Sequence, residues 1–183
     1  MIMTVAELRR FVKTDESDEV LEAMLQALEL SIRAYTNNNF QIRAFRAVAV
    51  AVSSGHTLLT NGTNLFKAND TLQITDSELN EGVFNVRTSS GNTITVKEDL
   101  HDESGVVITK VVYPADVKVG VANLIKWELN NRDKVGVASE TISRHSVTYF
   151  NMDGDNSTMG YPKALMGFLK PYMKARFGRG IRV

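Results

Sequence analysis

The hydrophobic periodicity of this chain changes character twice, and that switch constrains the fold more than any other feature. Residues 1–40 are helical in pattern, a stretch from about Arg43 to Val112 is strand-like, and helical spacing returns at Pro114. In the first stretch Thr4 and Glu7 have capping-box spacing, which predicts a short helix from about Val5 to Val12. Ser17 followed by Asp18 and Glu19 is a second N-cap, with acids placed at the positive end of the helix dipole. Leu21, Met24, Leu25, Leu28, Ile32 and Tyr35 then share one helical face. Thr36-Asn37-Asn38-Asn39 ends that helix, because short polar side chains compete for backbone hydrogen bonds.

The middle stretch consists of short β-branched runs: Ala47 to Val52, Thr71 to Thr75, Val83 to Arg87, Thr93 to Lys97 and Val106 to Val112. Turn residues separate them, among them Ser54-Gly55, Asn61-Gly62, Asn80-Glu81-Gly82 and Ser90-Gly91-Asn92. The pattern predicts a small antiparallel barrel or sandwich of five or six strands. After Pro114, a favoured residue in a first helical turn, Val117, Val121, Leu124 and Ile125 form an apolar stripe, widened by Trp127 and Leu129. A strand-like run, Thr141 to Phe150, and a polar loop, Asn151 to Gly160, follow. A last helix is expected from about Pro162, with Ala164, Leu165, Phe168 and Leu169 on its apolar side; Pro171 should kink or end it. The expected class is α+β: a small helical bundle with a strand or hairpin, interrupted by an inserted antiparallel β-barrel or sandwich. Its expected domains are residues 1–40 with 113–183, helical and discontinuous, and residues 41–112, the β insert.

Composition narrows the chemistry. With 43% hydrophobic and 23% charged residues, the 183-residue chain can build a core. Zero cysteines exclude a disulfide scaffold, thiolate metal sites and cysteine catalysis, and fit a reducing compartment. The start, MIMTVAELRR, lacks the apolar core of a signal peptide, and no run approaches the roughly 20 apolar residues that span a bilayer. A soluble protein is expected, with no membrane partner.

No catalytic, cofactor-binding or metal-binding constellation is legible. His56, His101 and His145 lie far apart without ligands at helical spacing and read as surface or cross-strand residues. Asn151 to Ser157 resembles a calcium loop only in its alternating oxygen donors; its glycine is misplaced, and Pro162 stands where the bidentate glutamate belongs. His145 and Ser146 are adjacent on a strand, so they point to opposite faces and cannot act as base and nucleophile. Neither a nucleophile elbow nor a phosphate loop is present, and Gly178-Arg179-Gly180 follows a helix instead of opening one.

Charge, by contrast, is unevenly spread. Lysine and arginine balance aspartate and glutamate at 21 each, yet no acid follows Asp155. That last stretch carries Lys163, Lys170, Lys174, Arg176, Arg179 and Arg182, which makes it a candidate for a charged partner. The plainer reading is that cations at a helix end complement its dipole and that the end is frayed.

Three blocks read together carry a resemblance. They are TVAELRRFVKTDESDEVLEAMLQALELSIRAYTNNNF, VYPADVKVGVANLIKWELNNRDKVGVASETISRHSVTYF and GYPKALMGFLKPYMKARF. In order and spacing they resemble the head–tail connector proteins of tailed bacteriophages, also called adaptor or head-completion proteins, over about 110 of the 183 residues. The β stretch departs from minimal members of that family, although DTLQITDSELNEGVFNVRTSSGNTITVKE looks like a module of phage structural proteins. The resemblance implies a structural virion protein without enzymatic activity or cofactor, made in the host bacterial cytoplasm. It implies a dodecameric ring below the portal protein, extending the DNA channel and presenting a surface to a tail or stopper protein. DNA would pass through without sequence-specific binding. The candidate portal-binding residues are Lys170, Lys174, Arg176, Arg179, Ile181, Arg182 and Val183. Extended, residues 176–183 would reach about 26–29 Å, beyond the roughly 16 Å radius of gyration of a compact chain this long. Ile181 and Val183 alternate as an added strand would.

Two other classes stay open on the residues alone. A nucleic-acid-binding module could use the basic end, although net charge is zero and the cations are not interleaved with aromatics on a sheet. A carbohydrate- or surface-binding β module would rest on the insert, against which the single tryptophan lies outside it.

Overall fold

The computed structural model describes residues 1–53, 55–61, 65–131, 139–142, 145–148 and 155–175, and it has the expected α+β class. The chain forms two compact units. One comprises Met1–Thr4 and Asn39–Tyr113, the other Val5–Asn38 and Pro114–Val183.

The first unit is a closed six-stranded antiparallel barrel. Its strands are β1 (Gln41–Ser53), β2 (Gly55–Thr60), β3 (Thr71–Thr75), β4 (Gly82–Ser90), β5 (Thr93–Leu100) and β6 (Val106–Val111), in the order β1-β2-β5-β4-β3-β6, with β6 returning to β1. Closure removes the exposed strand edges that an open sheet would present. Alternation sets the faces: Leu72 and Ile74 of β3, Ile94 and Val96 of β5, and Val106 and Ile108 of β6 are fully buried. With Leu58, Phe66 and Val86 they form one apolar cluster inside the barrel. Bulges let such short strands curve shut. β1 slips register between Ile42 and Arg46 against β6, and again between Ala49 and Ala51 against β2. β2 went unrecognised by sequence, because Gly55-His56-Thr57-Leu58-Leu59-Thr60 sits between two turn signals and its apolar core is only Leu58-Leu59.

Residues 1–4, grouped with the helices by sequence, lie with the barrel. The Met1 amine donates to Thr71 Oγ1 at 2.6 Å and Asn85 Oδ1 at 2.5 Å, and Thr71 Oγ1 donates to the Met1 carbonyl at 2.9 Å. The backbone and side-chain amides of Asn85 in turn donate to the Glu98 carboxylate at 2.9 and 2.6 Å. These contacts satisfy polar groups that burial would otherwise leave costly. A second cluster ties the β3–β4 and β5–β6 connections together. Asn80, only 4% exposed, donates to the His101 carbonyl at 3.0 Å and accepts from its N–H at 2.7 Å. Glu103 accepts from Asn80, Ser77 Oγ and the Glu78 N–H at 2.8, 2.6 and 2.7 Å.

The second unit contains α1 (Val5–Leu8), α2 (Asp18–Thr36), α3 (Ala115–Asn131), strand pairs β7 (Ser139–Ile142) with β8 (His145–Thr148) and β9 (Ser157–Thr158) with β10 (Tyr161–Pro162), and a 3₁₀ helix, Lys163–Tyr172. Only one α-helical turn forms at α1; turn hydrogen bonds carry the chain on to Val12. Arg9 organises the acidic connection that follows, donating to the carbonyls of Thr14 and Glu16 and to Asp18 Oδ1. Ser17 Oγ accepts from the Val20 N–H, and Asn37 closes α2 in the left-handed region at φ 50°. Leu21, Leu25, Leu28 and Ile32 of α2, and Val117, Val121, Leu124 and Ile125 of α3, are buried as their spacing predicts. Met24 and Tyr35 are half-buried.

Two expectations change. The run from Thr141 is not one strand: Thr141 and Ile142 end β7 and His145 to Thr148 form β8, an antiparallel pair with Ser139 opposite Thr148 and Ile142 opposite His145, which is the hairpin alternative of the expected class. The last helix is 3₁₀, and its burial repeats every three residues. Met166 and Leu169 are buried, Leu165 and Phe168 half-buried, and Ala164, Gly167 and Lys170 exposed. Eclipsed i, i+3 side chains are the signature of that helix. Ala164, expected on the apolar side, therefore faces outward.

Candidate functional site

Thr36, Asn37 and Asn38, read from sequence only as a helix stop, hold the segment after the 3₁₀ helix. The Asn38 side chain donates to the Tyr172 carbonyl at 3.0 Å, and Asn37 Nδ2 donates to the Ala175 carbonyl at 2.9 Å. Between them the Lys174 N–H donates to the Thr36 carbonyl at 2.8 Å. Three consecutive residues thus dock residues 172–175 against the C-terminal end of α2. A helix end leaves carbonyls unpaired, and here one of them finds its donor in a distant segment.

Tyr172 is fixed from the other side as well. Its hydroxyl donates to both carboxylate oxygens of Asp116 at 2.7 and 2.8 Å, while Asp116 Oδ1 accepts from the Val117 N–H at the start of α3. The hydrogen bond to Asp116 stabilises the protonated phenol and raises the Tyr172 pKa above its ordinary value. Pro171 lies inside the 3₁₀ helix one residue before its end, where its missing N–H leaves one helix hydrogen bond unmade.

Of the candidate partner-binding residues, Lys170 and Lys174 are exposed, and Met173 beside them is 50% exposed. Arg176, Arg179, Ile181, Arg182 and Val183 lie outside the described residues. Lys163 is exposed on the same 3₁₀ helix. Between that helix and α3 runs an open groove of about 510 Å³, lined by Ala115, Val119, Gly120, Leu165 and Phe168 among others. The Phe168 ring lies directly on Gly120. A smaller hollow of about 220 Å³ adjoins α2 at Met24, Ala27 and Ser31.

Nothing in the described residues assembles catalytic chemistry. His56 Nδ1 lies 2.9 Å from the Glu98 carbonyl, and its Nε2 is 3.7 Å from Asp99, a loose pair at the surface. No cluster of three or more His, Asp or Glu side chains fit to hold a metal occurs among the described residues. Residues 151–154 of the calcium-like stretch lie outside them. Trp127 packs edge-on against Tyr161 with ring centroids 5.5 Å apart, a packing role within the helical unit. No helix among the described residues is long and apolar enough to cross a membrane.

No protein-family model matches the chain, and no curated protein does. Among the solved structures that this chain resembles are parts of phage or phage-like particles. One is the tailspike protein gp49 from Pseudomonas phage LKA1, 28% identical over 36% of this chain, with a TM-score of 0.28. The match spans 14% of the tailspike's own length. Another is a chain from the neck of an empty GTA (gene transfer agent) particle computed with C6 symmetry. It is 13% identical, covers 98% of this chain and 93% of that one, and has a TM-score of 0.35. Neither superposition is close enough to define a family for this chain.

Proposed function

We propose that this protein is a structural subunit of a head–tail connector ring in a tailed-phage-type particle. It would dock below the portal, extend the DNA channel and offer its other side to a tail or stopper protein. One observation carries the reading. The three sequence blocks that resemble connector proteins are separated by the β stretch, yet almost all of their residues belong to one compact unit, Val5–Asn38 with Pro114–Val183. The departure from the family pattern falls in the barrel unit. A resemblance that follows a structural division supports a shared helical module carrying an insertion.

The docking of residues 172–175 against α2 supports a role for the residues that follow. A segment launched from a fixed point keeps its reach directed and loses less entropy on binding than one hinged freely. Truncation after Ala175 tests the reading. The shortened protein should keep its thermal midpoint within about 2 °C and lose attachment to portal-bearing heads. Negative-stain images of the full chain should show rings with a central hole. Normal attachment by the truncated protein would remove the portal-binding role from residues 176–183, and a sample that forms no rings, alone or on portals, would overturn the ring-subunit reading.

A further inference from the structure

The outer face of α2 is built unlike a solvent-facing surface. Between residues 23 and 34 its exposed positions are Ala23, Gln26, Ala27, Leu30, Ser31 and Ala34, whereas the charged Glu29 and Arg33 are buried. A helix side that faces water ordinarily carries charge; this one carries none for three turns. Leu30 stands at its centre, 62% exposed.

The groove between α3 and the 3₁₀ helix has the complementary character. Val119, 44% exposed, and the half-buried Leu165 and Phe168 line it, with the Phe168 ring seated on the bare backbone of Gly120. The α2 face and the groove share no residue. Each helix buries its opposite side in the core of the same unit, through Leu25 and Leu28 on α2 and Val121 and Leu124 on α3.

Charge at the rims is complementary too. Glu19 is exposed at the start of α2, beside Asp18, which Arg9 engages; Lys126, Lys163 and Lys170 are exposed beside the groove. The one acid lining the groove, Asp116, is engaged by the Tyr172 hydroxyl. An apolar projection on one side of a molecule and an apolar groove on another dock head to tail, which closes into a ring when the rotation allows. Opposite charges around such a contact steer the encounter and disfavour other pairings.

We propose that the Leu30 face of α2 in one copy of this chain seats in the α3–3₁₀ groove of the next copy. This rests on the ring-subunit reading and names the surfaces that would build the ring. The chain has no cysteine, so any thiol can be placed at will. Leu30→Cys and Val119→Cys variants of the full-length protein, mixed and oxidised at high concentration, should give a disulfide-linked dimer. The double variant should give a ladder of higher multiples. Either single variant alone, or Leu30→Cys mixed with Lys97→Cys on the barrel, should stay monomeric on a denaturing gel. Efficient dimerisation of Leu30→Cys alone would mean that α2 faces pair with each other and would overturn the proposal, as would a double variant that forms no ladder. Rings without this cross-link would refute the contact and leave the connector reading standing. A ladder from a protein that neither closes into rings nor joins portal-bearing heads would uphold the contact and refute that reading.

Discussion

Phe168 occupies the space where any side chain at position 120 would begin: a Cβ built on Gly120 falls 2.5 Å from the Cγ, Cδ1 and Cε1 atoms of its ring. Glycine inside a helix ordinarily costs about 1 kcal/mol relative to alanine, so the close approach of ring and backbone is what this position gains in return. Replacing Gly120 with alanine should therefore destabilise the protein by about 1–3 kcal/mol, the usual range for overpacking. A lower urea midpoint checks this, and adding Phe168→Leu should recover part of the loss. A raised midpoint in the single variant would show that the ring moves aside freely.

Glu103 links the two barrel connections, and hydrogen bonds from Ser77, the Glu78 backbone and Asn80 hold its carboxyl below the usual value of 4.5. A folded-state pKa lower than the unfolded one adds stability above the unfolded value, and that stability is lost as pH falls through the folded one. The wild type should accordingly lose stability more steeply below about pH 4.5 than Glu103→Gln does. Urea midpoints measured at pH 7 and pH 3.5 for both proteins check the sign; parallel losses would contradict it.

Tyr172 predicts the opposite limb. Its pKa is raised from the ordinary 10.0 by the hydrogen bond to Asp116. That contribution is full below pH 10 and is lost as pH rises through the folded value. Tyr172→Phe should lower stability at neutral pH and flatten the alkaline decline. Absorbance titration of the phenolate, compared between wild type and Asp116→Asn, reads the shift directly.

The barrel buries its own apolar cluster inside a closed sheet, and the helices bury theirs on α2, α3 and the 3₁₀ helix. Deleting residues 42–111 and joining the ends with a short Gly/Ser link should leave a helical protein that unfolds cooperatively. Far-ultraviolet circular dichroism during a urea titration measures this. Loss of the transition would show that residues 41–112 belong to a shared core and are not a separable insert.

Local patterns made much of this architecture legible. Apolar spacing on α2 and α3, the Ser17 cap and the alternation of Thr71 to Thr75 depend on neighbours within about one helical turn or one strand pleat, so they can be read residue by residue. The 3₁₀ form of the last helix was less visible, because Leu165, Met166, Phe168 and Leu169 fit spacings of three and four equally well. What lay beyond sequence was the meeting of distant pieces. Asn38 and Tyr172 are 134 residues apart, and nothing local marks either as the other's partner. The same holds for Asn80 with Glu103, for Phe168 on Gly120, and for the first four residues beside Thr71 and Asn85. Such contacts form only where the folded backbone brings donors and acceptors, or a ring and a bare Cα, within reach, and that geometry is a property of the packed chain.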